Sequence, residues 1–429
     1  MKIFKSKNSV NTGPRWAWTT MLLIGAIAIG MFSCNEDEDS DLTPDPGDGQ
    51  EAESGWLHAY WVQQPNGTRP FYVQVDERLP AKVDLSTAVE LGVGVAPIPS
   101  DDGFFTINTN ASTISKWEVD KSTFELSASS AFSYASTGAQ PVSLPIFLSD
   151  DQGFITDLQE GIVVEFNPEI MEITKIHSVE PVTPASGEGY RVRLFDGDVL
   201  DNGKIFHSIE YTVEGVCCEF PFQEPTPYLA IFDPTTGQVE YKTDPRLPIG
   251  GRFTTVDADG FNYISPNEYT AVNRHYFNLN GMDGFDKYFL FRLDGNGNID
   301  EGYTYDLTSI LDIDYGGQVN AVQGDEFLVT YNDIDEWPEA YDDRWNWWGD
   351  PEFSRISVVN SSTNDVKPFT GLSNFSLGGY YIGTVEGFNY WSAASENSGA
   401  LVRQVSFDNF EVVTEVPSGS NMSIIGKLW

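Results

Sequence analysis

Apolar and polar positions follow one order that recurs along the chain. In Asp102–Leu126, DGFFTINTNASTISKWEVDKSTFEL, a turn precedes an aromatic-rich strand, and an alternating strand, a polar turn and a further strand follow. Gln152–Ile176 repeats this order with a shorter gap. Because the alternation has a period of two, both segments predict strands joined by hairpins rather than helices.

Five more segments follow the same order with longer gaps: Gly55–Val83, Gly203–Lys242, Gly260–Tyr303, Gly324–Lys367 and Gly387–Val413. The glycines that open the units lie about 48 to 64 residues apart: Gly55, Gly103, Gly153, Gly203, Gly260, Gly324 and Gly387. A period near 50 residues in an all-β pattern is typical of propeller blades. A pair of β-sandwiches whose strands share generic alternation is the alternative.

The end of the chain favours the propeller. Every unit after the first is preceded by a further candidate strand, such as VGVAPIP before Gly103, whereas the first unit has none. The chain ends with NMSIIGKLW, a strand without a unit of its own, which could supply the missing inner strand of the first blade. We therefore predict an all-β, seven-bladed β-propeller over residues 55–429, closed by the C-terminal strand.

The first 54 residues differ from the rest. Residues 1–33 contain Lys2, Lys5, Lys7 and Arg15 before the apolar run MLLIGAIAIGMF, which is the pattern of an export signal. A transmembrane helix is the alternative. It is disfavoured because the apolar run is shorter than a bilayer span needs. Residues 34–54 are acidic and almost free of apolar side chains, which predicts a flexible tether.

This amino terminus resembles a bacterial lipoprotein signal, in which the cysteine after the apolar run is acylated and becomes the first residue of the mature protein. The resemblance implies that Cys34 carries the lipid. The acidic run directly behind Cys34 also resembles the surface-export signal of Bacteroidota lipoproteins. An ordinary solvated linker on a periplasmic membrane face is the alternative.

Two further cysteines, Cys217 and Cys218, are adjacent. Neighbouring Cα atoms lie about 3.8 Å apart, below the usual range for a disulfide, so a bridge between them would be strained. An oxidising exterior would still permit a vicinal disulfide, and two reduced thiols are the alternative.

Loop lengths indicate where a ligand would bind. In a four-stranded meander the first and third turns lie on one face, and the middle turn and the link to the next blade lie on the other. The first and third turns are expected to be short everywhere. The middle turns are long in three consecutive units, Thr212–Pro227, Pro266–Asp286 and Asn332–Phe353, and long loops on a rigid scaffold commonly carry function.

Two of these segments are rich in aromatic residues and contain scarce cations. The candidate ligand-binding residues are Arg274, His275, Tyr276, Trp337, Tyr341, Arg344, Trp345, Trp347 and Trp348. Exposed tryptophans reduce solubility unless they pack or bind something. The alternative is that they form a small core within the loop itself.

Sequence motifs do not indicate an enzyme. The chain contains no GxSxG, Walker, dinucleotide-binding or HExxH motif, and we predict no catalytic residues, cofactor or metal site. The four histidines are scattered and are expected to be structural. A formal charge of −40, with 64 acidic residues, excludes nucleic acid as a partner, because phosphate binding requires basic patches.

The combination of signal, acidic tether and propeller resembles the Bacteroidota surface lipoproteins of propeller fold that work beside TonB-dependent outer-membrane transporters. The resemblance implies an outer-membrane lipoprotein on the cell surface, held by its lipid, that captures a small ligand such as an iron–siderophore chelate and passes it to a transporter. It is architectural and assigns no ligand-contacting residue. An exported propeller hydrolase or lyase acting on glycans, and a structural adhesion module, are the alternatives.

Overall fold

The structure is a computed structural model, and it describes residues 54–429 except positions 142, 183–189, 214–228, 244–252, 257–259, 266–288, 313–317, 333–353, 369–380, 395–398, 407–408 and 418–419. Its strands form seven four-stranded antiparallel sheets. The sheets are the blades of a seven-bladed β-propeller, as the repeat predicts.

Within each blade the strands are given from the innermost outward. The first blade contains β28 (Ser420–Lys427), β1 (Trp56–Val62), β2 (Phe71–Asp76) and β3 (Val89–Gly92). The second contains β4 (Val95–Ser100), β5 (Gly103–Asn108), β6 (Thr113–Val119) and β7 (Leu126–Ser133). The third contains β8 (Ile146–Ser149), β9 (Gln152–Asp157), β10 (Ile162–Asn167) and β11 (Glu172–Ser178). The fourth contains β12 (Tyr190–Val199), β13 (Ile205–Val213), β14 (Leu229–Asp233) and β15 (Gln238–Lys242).

The remaining blades follow the same order. The fifth contains β16 (Phe253–Val256), β17 (Asn262–Ser265), β18 (Phe289–Leu293) and β19 (Tyr305–Asp306). The sixth contains β20 (Gln318–Gln323), β21 (Glu326–Asn332), β22 (Ser354–Asn360) and β23 (Val366–Pro368). The seventh contains β24 (Tyr381–Val385), β25 (Phe388–Ala394), β26 (Gly399–Ser406) and β27 (Asn409–Val416).

Helical structure is scarce in the described residues. One α-helix, α1 (Leu307–Leu311), follows β19 and begins where the side chain of Asp306 accepts a hydrogen bond from the backbone N–H of Ser309. Two 3₁₀-helices, Leu85–Thr87 and Ala135–Thr137, lie in connections. None of the described helices has both the length and the apolar character that crossing a bilayer requires.

The C-terminal strand closes the ring, as predicted. β28 pairs antiparallel with β1, from Trp56 opposite Lys427 to Val62 opposite Ser420. The backbone N–H of Leu428 donates to the carbonyl of Gly55 at 2.8 Å. A Cβ atom on Gly55 would lie 2.4 Å from the indole ring of Trp429, so only glycine permits this contact between the two ends of the propeller.

The glycines that open the predicted units share one position. Each lies within two residues of the start of the second strand of its blade, which is where the turn from the inner strand ends. The period read from the sequence is therefore the period of this turn. The strands predicted before Gly103, Gly260 and Gly387 are the inner strands β4, β16 and β24.

The polar turns between third and fourth strands are built alike in four blades. An Asp or Asn side chain accepts hydrogen bonds from the backbone N–H groups two and three residues later: Asp120, Asn167, Asp233 and Asn360. The fifth residue of each turn has a positive φ: Phe124, Met171, Gly237 and Asn364. Gly237 adopts this conformation at no steric cost, whereas the side chains of Phe124 and Met171 make it unfavourable.

The core lies in the seams between blades. Seven clusters of buried apolar side chains are present in the described residues, and each joins two neighbouring blades. Leu57, Val73 and Phe104, for example, join the first blade to the second. Each strand therefore alternates between the preceding and the following seam, which explains the alternation over almost the whole chain.

One expectation about loops is wrong. The third-to-fourth strand connection of the fifth blade covers residues 294–304 and is not a short turn. In the first blade, the connection between β2 and β3 is also long and covers residues 77–88. It reaches the outer strand of the seventh blade, where Val83 N–H donates to the Glu415 carbonyl at 3.0 Å and Glu415 N–H donates to the Ala81 carbonyl at 2.9 Å. The first-blade connection therefore adds a second contact across the seam that β28 closes.

Candidate functional site

The disc has two faces that differ in their connections. We call the side with the first-to-second and third-to-fourth strand turns the turn face, and the side with the second-to-third strand connections and the links between blades the insertion face. Second-to-third strand connections are short in the second, third and seventh blades, at 109–112, 158–161 and 395–398. They are long in the fourth, fifth and sixth blades, at 214–228, 266–288 and 333–353. Three consecutive blades thus open long connections on the insertion face, where the loop lengths predicted them.

The predicted side chains of the site all lie outside the described residues. They are Arg274, His275, Tyr276, Trp337, Tyr341, Arg344, Trp345, Trp347 and Trp348, together with Cys217 and Cys218 in the fourth-blade connection and Cys34 at the anchor. The structure describes the strand ends that carry these connections, Val213 and Leu229, Ser265 and Phe289, and Asn332 and Ser354. The ligand-binding role of the side chains stays a prediction.

A row of buried hydroxyls lies beneath the insertion face, and the sequence analysis did not identify it. Six consecutive blades carry a buried Ser or Thr three or four positions after the residue that begins the second strand: Thr106, Thr156, Ser208, Ser265, Thr330 and Ser392. A signal for it exists in the sequence, where the glycine that opens each of these six units is followed within six residues by a Ser or Thr, as in GFIT and GFNYWS.

The side-chain partners of these hydroxyls join strands or blades. The Thr156 hydroxyl lies 3.2 Å from Nε2 of His207, and burial lowers the pKa of His207 to about 4, so its imidazole is neutral at physiological pH. Thr330 accepts a hydrogen bond from the Asn320 amide at 2.9 Å.

Carboxylates are concentrated on the turn face of the described residues. Those within its turns, with Asp76 and Asp233 at the strand ends before them, are Glu77, Asp84, Asp101, Asp102, Asp120, Glu125, Asp150, Asp151, Glu169, Asp201, Asp294, Asp300, Glu301, Asp325, Asp365 and Glu386. The described connections on the insertion face carry only Arg69, Glu160, Glu180 and Asp312 as charged residues. The charge that the insertion face presents to a ligand is therefore set mainly by the three long connections.

A cavity of about 660 Å³ opens on the turn face, away from the insertions. It is lined by one run of the long first-blade connection and by single side chains of two neighbouring blades: Asp76, Glu77, Arg78, Leu79, Pro80, Ala81, Phe124 and Val413. Phe124 stacks on Trp429 with ring centroids 6.3 Å apart, so one wall of the cavity is fixed by the C-terminal residue.

A hydrogen-bonded chain leads from this cavity into the closing seam. Asp76 accepts from Nε2 of His58 at 2.8 Å, and Nδ1 of the same ring contacts the Tyr60 hydroxyl. His58 and Tyr60 are fully buried. Burial, together with the charge of Asp76, raises the pKa of Tyr60, so its phenol stays protonated. No ligand could reach that phenol without opening the seam, which makes the chain a structural link.

The remaining described histidine is structural as well. His177 is buried, and its Nε2 lies 2.9 Å from the carboxylate of Glu165 in the neighbouring strand. His58, His177 and His207 therefore all contribute to the packing of blades, as expected for scattered histidines. In the parts of the chain that the structure describes, no group of three or more His, Cys, Asp or Glu side chains is arranged to hold a metal ion.

Comparisons with known proteins concern the fold. No family model matches the sequence, and no curated protein matches it. Among solved structures, a putative 6-phosphogluconolactonase from Bacteroides fragilis aligns with a TM-score of 0.48 at 10% identity, covering 89% of this chain and 99% of that chain. Apo AztD from Citrobacter koseri aligns with a TM-score of 0.42 at 10% identity, covering 87% and 98%. These likenesses assign no activity or ligand to this chain.

Proposed function

We propose that this protein is an outer-membrane lipoprotein, exposed on the cell surface, that binds a small ligand on its insertion face and passes it to an outer-membrane transporter. One observation carries the binding role: three consecutive blades open long second-to-third strand connections on the same face. Their sequences supply the residue types that dominate binding hot spots, tryptophan, tyrosine and arginine. The signal, Cys34 and the acidic tether support the anchor and the export.

The ligand class we propose to test first is an iron–siderophore chelate that is neutral or cationic. The sixth-blade connection, 333–353, contains eight carboxylates against the single cation Arg344, and the protein as a whole is strongly acidic. This charge repels an anionic chelate, such as ferric tris-catecholate, at long range. A ferric tris-hydroxamate is neutral because three hydroxamate anions balance the ferric ion, so the charge of the protein does not repel it at long range.

Titration of the purified protein with both chelates, followed by tryptophan fluorescence, tests this proposal. We expect the neutral chelate to bind, and Trp345→Ala or Trp348→Ala to weaken its binding by roughly 2 kcal/mol, about thirtyfold. Asn296→Ala, which lies in an exposed turn on the opposite face, is the matched control and should leave the affinity unchanged.

Two outcomes contradict the proposal. If the control variant loses the chelate while both tryptophan variants retain it, ligand does not bind on the insertion face. If neither chelate binds the intact protein, iron–siderophore capture is wrong. Circular dichroism and melting of each variant show whether a lost signal reflects binding or an unfolded chain.

A further inference from the structure

We infer that the turn face is the side of the propeller that faces the anchoring membrane, so that the insertion face is directed away from it. This inference rests on the lipid anchor of the proposed function and adds the orientation of the bound protein. The chain enters the propeller at β1, the second strand of its blade, and every second strand begins at the turn face. The segment before residue 54 therefore leaves the rigid body on the turn face.

The exit point of the tether is held firmly. The Ser54 hydroxyl donates to the carbonyl of Glu77, in the third-to-fourth strand connection of the first blade, at 2.6 Å. Gly55 is buried beneath the ring of Trp429, and its carbonyl accepts from Leu428. Because residues 54 and 55 are bound to turn-face groups, free movement of a tether can begin only before them.

The length of the tether favours one orientation. A flexible chain of the tether's length, residues 34–53, has a root-mean-square span of roughly 25 Å and a fully extended reach of roughly 70 Å. The strands, six to eight residues long in most blades, make the disc roughly 20–25 Å thick. To turn the insertion face toward the membrane, the tether would have to pass around the rim, which requires a nearly extended chain and costs conformational entropy.

Electrostatic repulsion keeps the turn face at a distance from an anionic membrane. The exposed carboxylates of the turns face the same way as the tether, and like charges repel within a Debye length of about 8 Å at physiological salt. This repulsion by itself would favour turning the disc over, and the cost of passing the tether around the rim opposes that. The disc is therefore held off the surface with its turn face toward the membrane. A ligand reaches the insertion face from the side away from the membrane, and transfer to a transporter in the same membrane requires the disc to tilt on its tether.

Energy transfer on vesicles tests the orientation. A donor dye is placed at Asp101 or at Ala111 by a genetically encoded amino acid, so that the native cysteines are untouched. Both residues are exposed, and they flank the same strand, β5, at the turn face and the insertion face respectively. The full lipidated protein is bound to vesicles that carry an acceptor dye on their headgroups. We expect the donor at 101 to transfer at least about twofold more efficiently than the donor at 111, given the thickness of the disc.

The possible results distinguish a wrong orientation from a wrong lipid anchor. Equal transfer from both positions, or more transfer from 111, with the protein bound to the vesicles overturns the orientation and leaves the anchor intact. Failure of the protein to associate with vesicles, while Cys34→Ala behaves identically, overturns the anchor and the orientation with it. Neither result depends on whether a chelate binds, so ligand capture is judged by its own titration.

Discussion

At the scale of single residues, two bulky side chains occupy turn positions with an unfavourable backbone. Phe124 and Met171 have φ values of 59° and 55°, at the position where the fourth blade has Gly237. Such a conformation costs of order 1–3 kcal/mol for a residue with a side chain. Met171 is buried in the seam between the second and third blades, and Phe124 stacks on Trp429. Packing across a seam offsets the local strain in both turns.

The carboxylates that begin three of the third-to-fourth strand connections, Asp120, Asp233 and Asp294, predict a pH dependence. Hydrogen bonds from Ser122 and Thr123 lower the pKa of Asp120. At Asp233 and Asp294, partial burial acts to raise the pKa, but donated hydrogen bonds outweigh it and the pKa is again lowered. Since the folded pKa is below the unfolded value of about 3.9, the stabilisation is present above that pH and is lost as the pH falls. The triple variant Asp120→Asn, Asp233→Asn, Asp294→Asn should therefore lose less stability between pH 5 and 3.

Urea unfolding midpoints across that range measure the effect, and the native Asn167 and Asn360 show that asparagine suits the type of turn that Asp120 and Asp233 begin. The other carboxyl groups are the same in both proteins, so their contributions to the pH dependence of stability cancel in the comparison. If stability falls equally with pH in the variant and the native protein, the turns do not lower the pKa values of these carboxylates.

His207 predicts a second pH dependence, at higher pH. Burial lowers the pKa of His207 to about 4 from an unfolded value near 6.5. As the pH falls below 6.5, the unfolded chain takes up a proton that the folded chain refuses, and stability falls by roughly 1 kcal/mol per pH unit until about pH 4. His207→Leu should abolish this slope, whatever its effect on absolute stability. Chemical denaturation at pH 7.5, 6 and 5 measures the slope, and an unchanged slope in the variant would show that His207 is protonated in the folded protein.

At the scale of elements, β28 is the strand on which the ring depends. Removing Asn421–Trp429 takes away the pairing partner of β1 and the buried side chains of Met422, Ile424 and Ile425. Each buried aliphatic side chain contributes roughly 1.5–3 kcal/mol, so the deletion should destabilise the protein by several kcal/mol. Trp429→Ala keeps the strand and should cause a smaller loss. Thermal melting compares the three proteins, and identical melting of the deleted and intact forms would show that β28 does not hold the ring closed.

Much of this architecture could be predicted from local patterns. The opening glycines recur because each blade repeats one turn, and the orphan strand after Ser420 is visible because the first unit lacks an inner strand.

The long connection at 77–88 was missed because it contacts Glu415 in the seventh blade, which is far away in the sequence. The buried hydroxyls were missed because a Ser or Thr at the end of an apolar run resembles an ordinary loop start. The loops of the site could be located by length, but length does not determine side-chain positions.

At the scale of the whole molecule, net charge predicts that salt stabilises the fold. The formal charge of the chain is −40. Among the described residues, exposed carboxylates are concentrated in the turns of the turn face. Raising the salt concentration from about 0.01 M to 0.1 M shortens the Debye length from about 30 Å to 10 Å and weakens their mutual repulsion. The melting temperature should therefore rise with sodium chloride.

Paired substitutions locate this effect. Asp101→Asn with Asp150→Asn, both on the turn face, should reduce the salt dependence. Glu160→Gln with Glu180→Gln removes the same charge from the insertion face at the third blade. It should change the salt dependence less, because the described connections of that blade on this face hold no other carboxylate. Melting curves at several salt concentrations give the comparison, and a larger effect from the second pair would place the repulsion on the other face.

The contact between Gly55 and Trp429 has a consequence for how the chain could be rewired. Because these residues touch, a short linker from Trp429 to Ser54 would join them without disturbing either strand. New termini could then be opened in the exposed connection at Asn110 and Ala111. In such a circular permutant β28 and β1 become an ordinary hairpin, and the second blade becomes the one completed by two distant parts of the chain. The permutant and the native protein would have the same side chains but different connections between strands. A difference in which seam opens first under force or heat would therefore be caused by the connections alone.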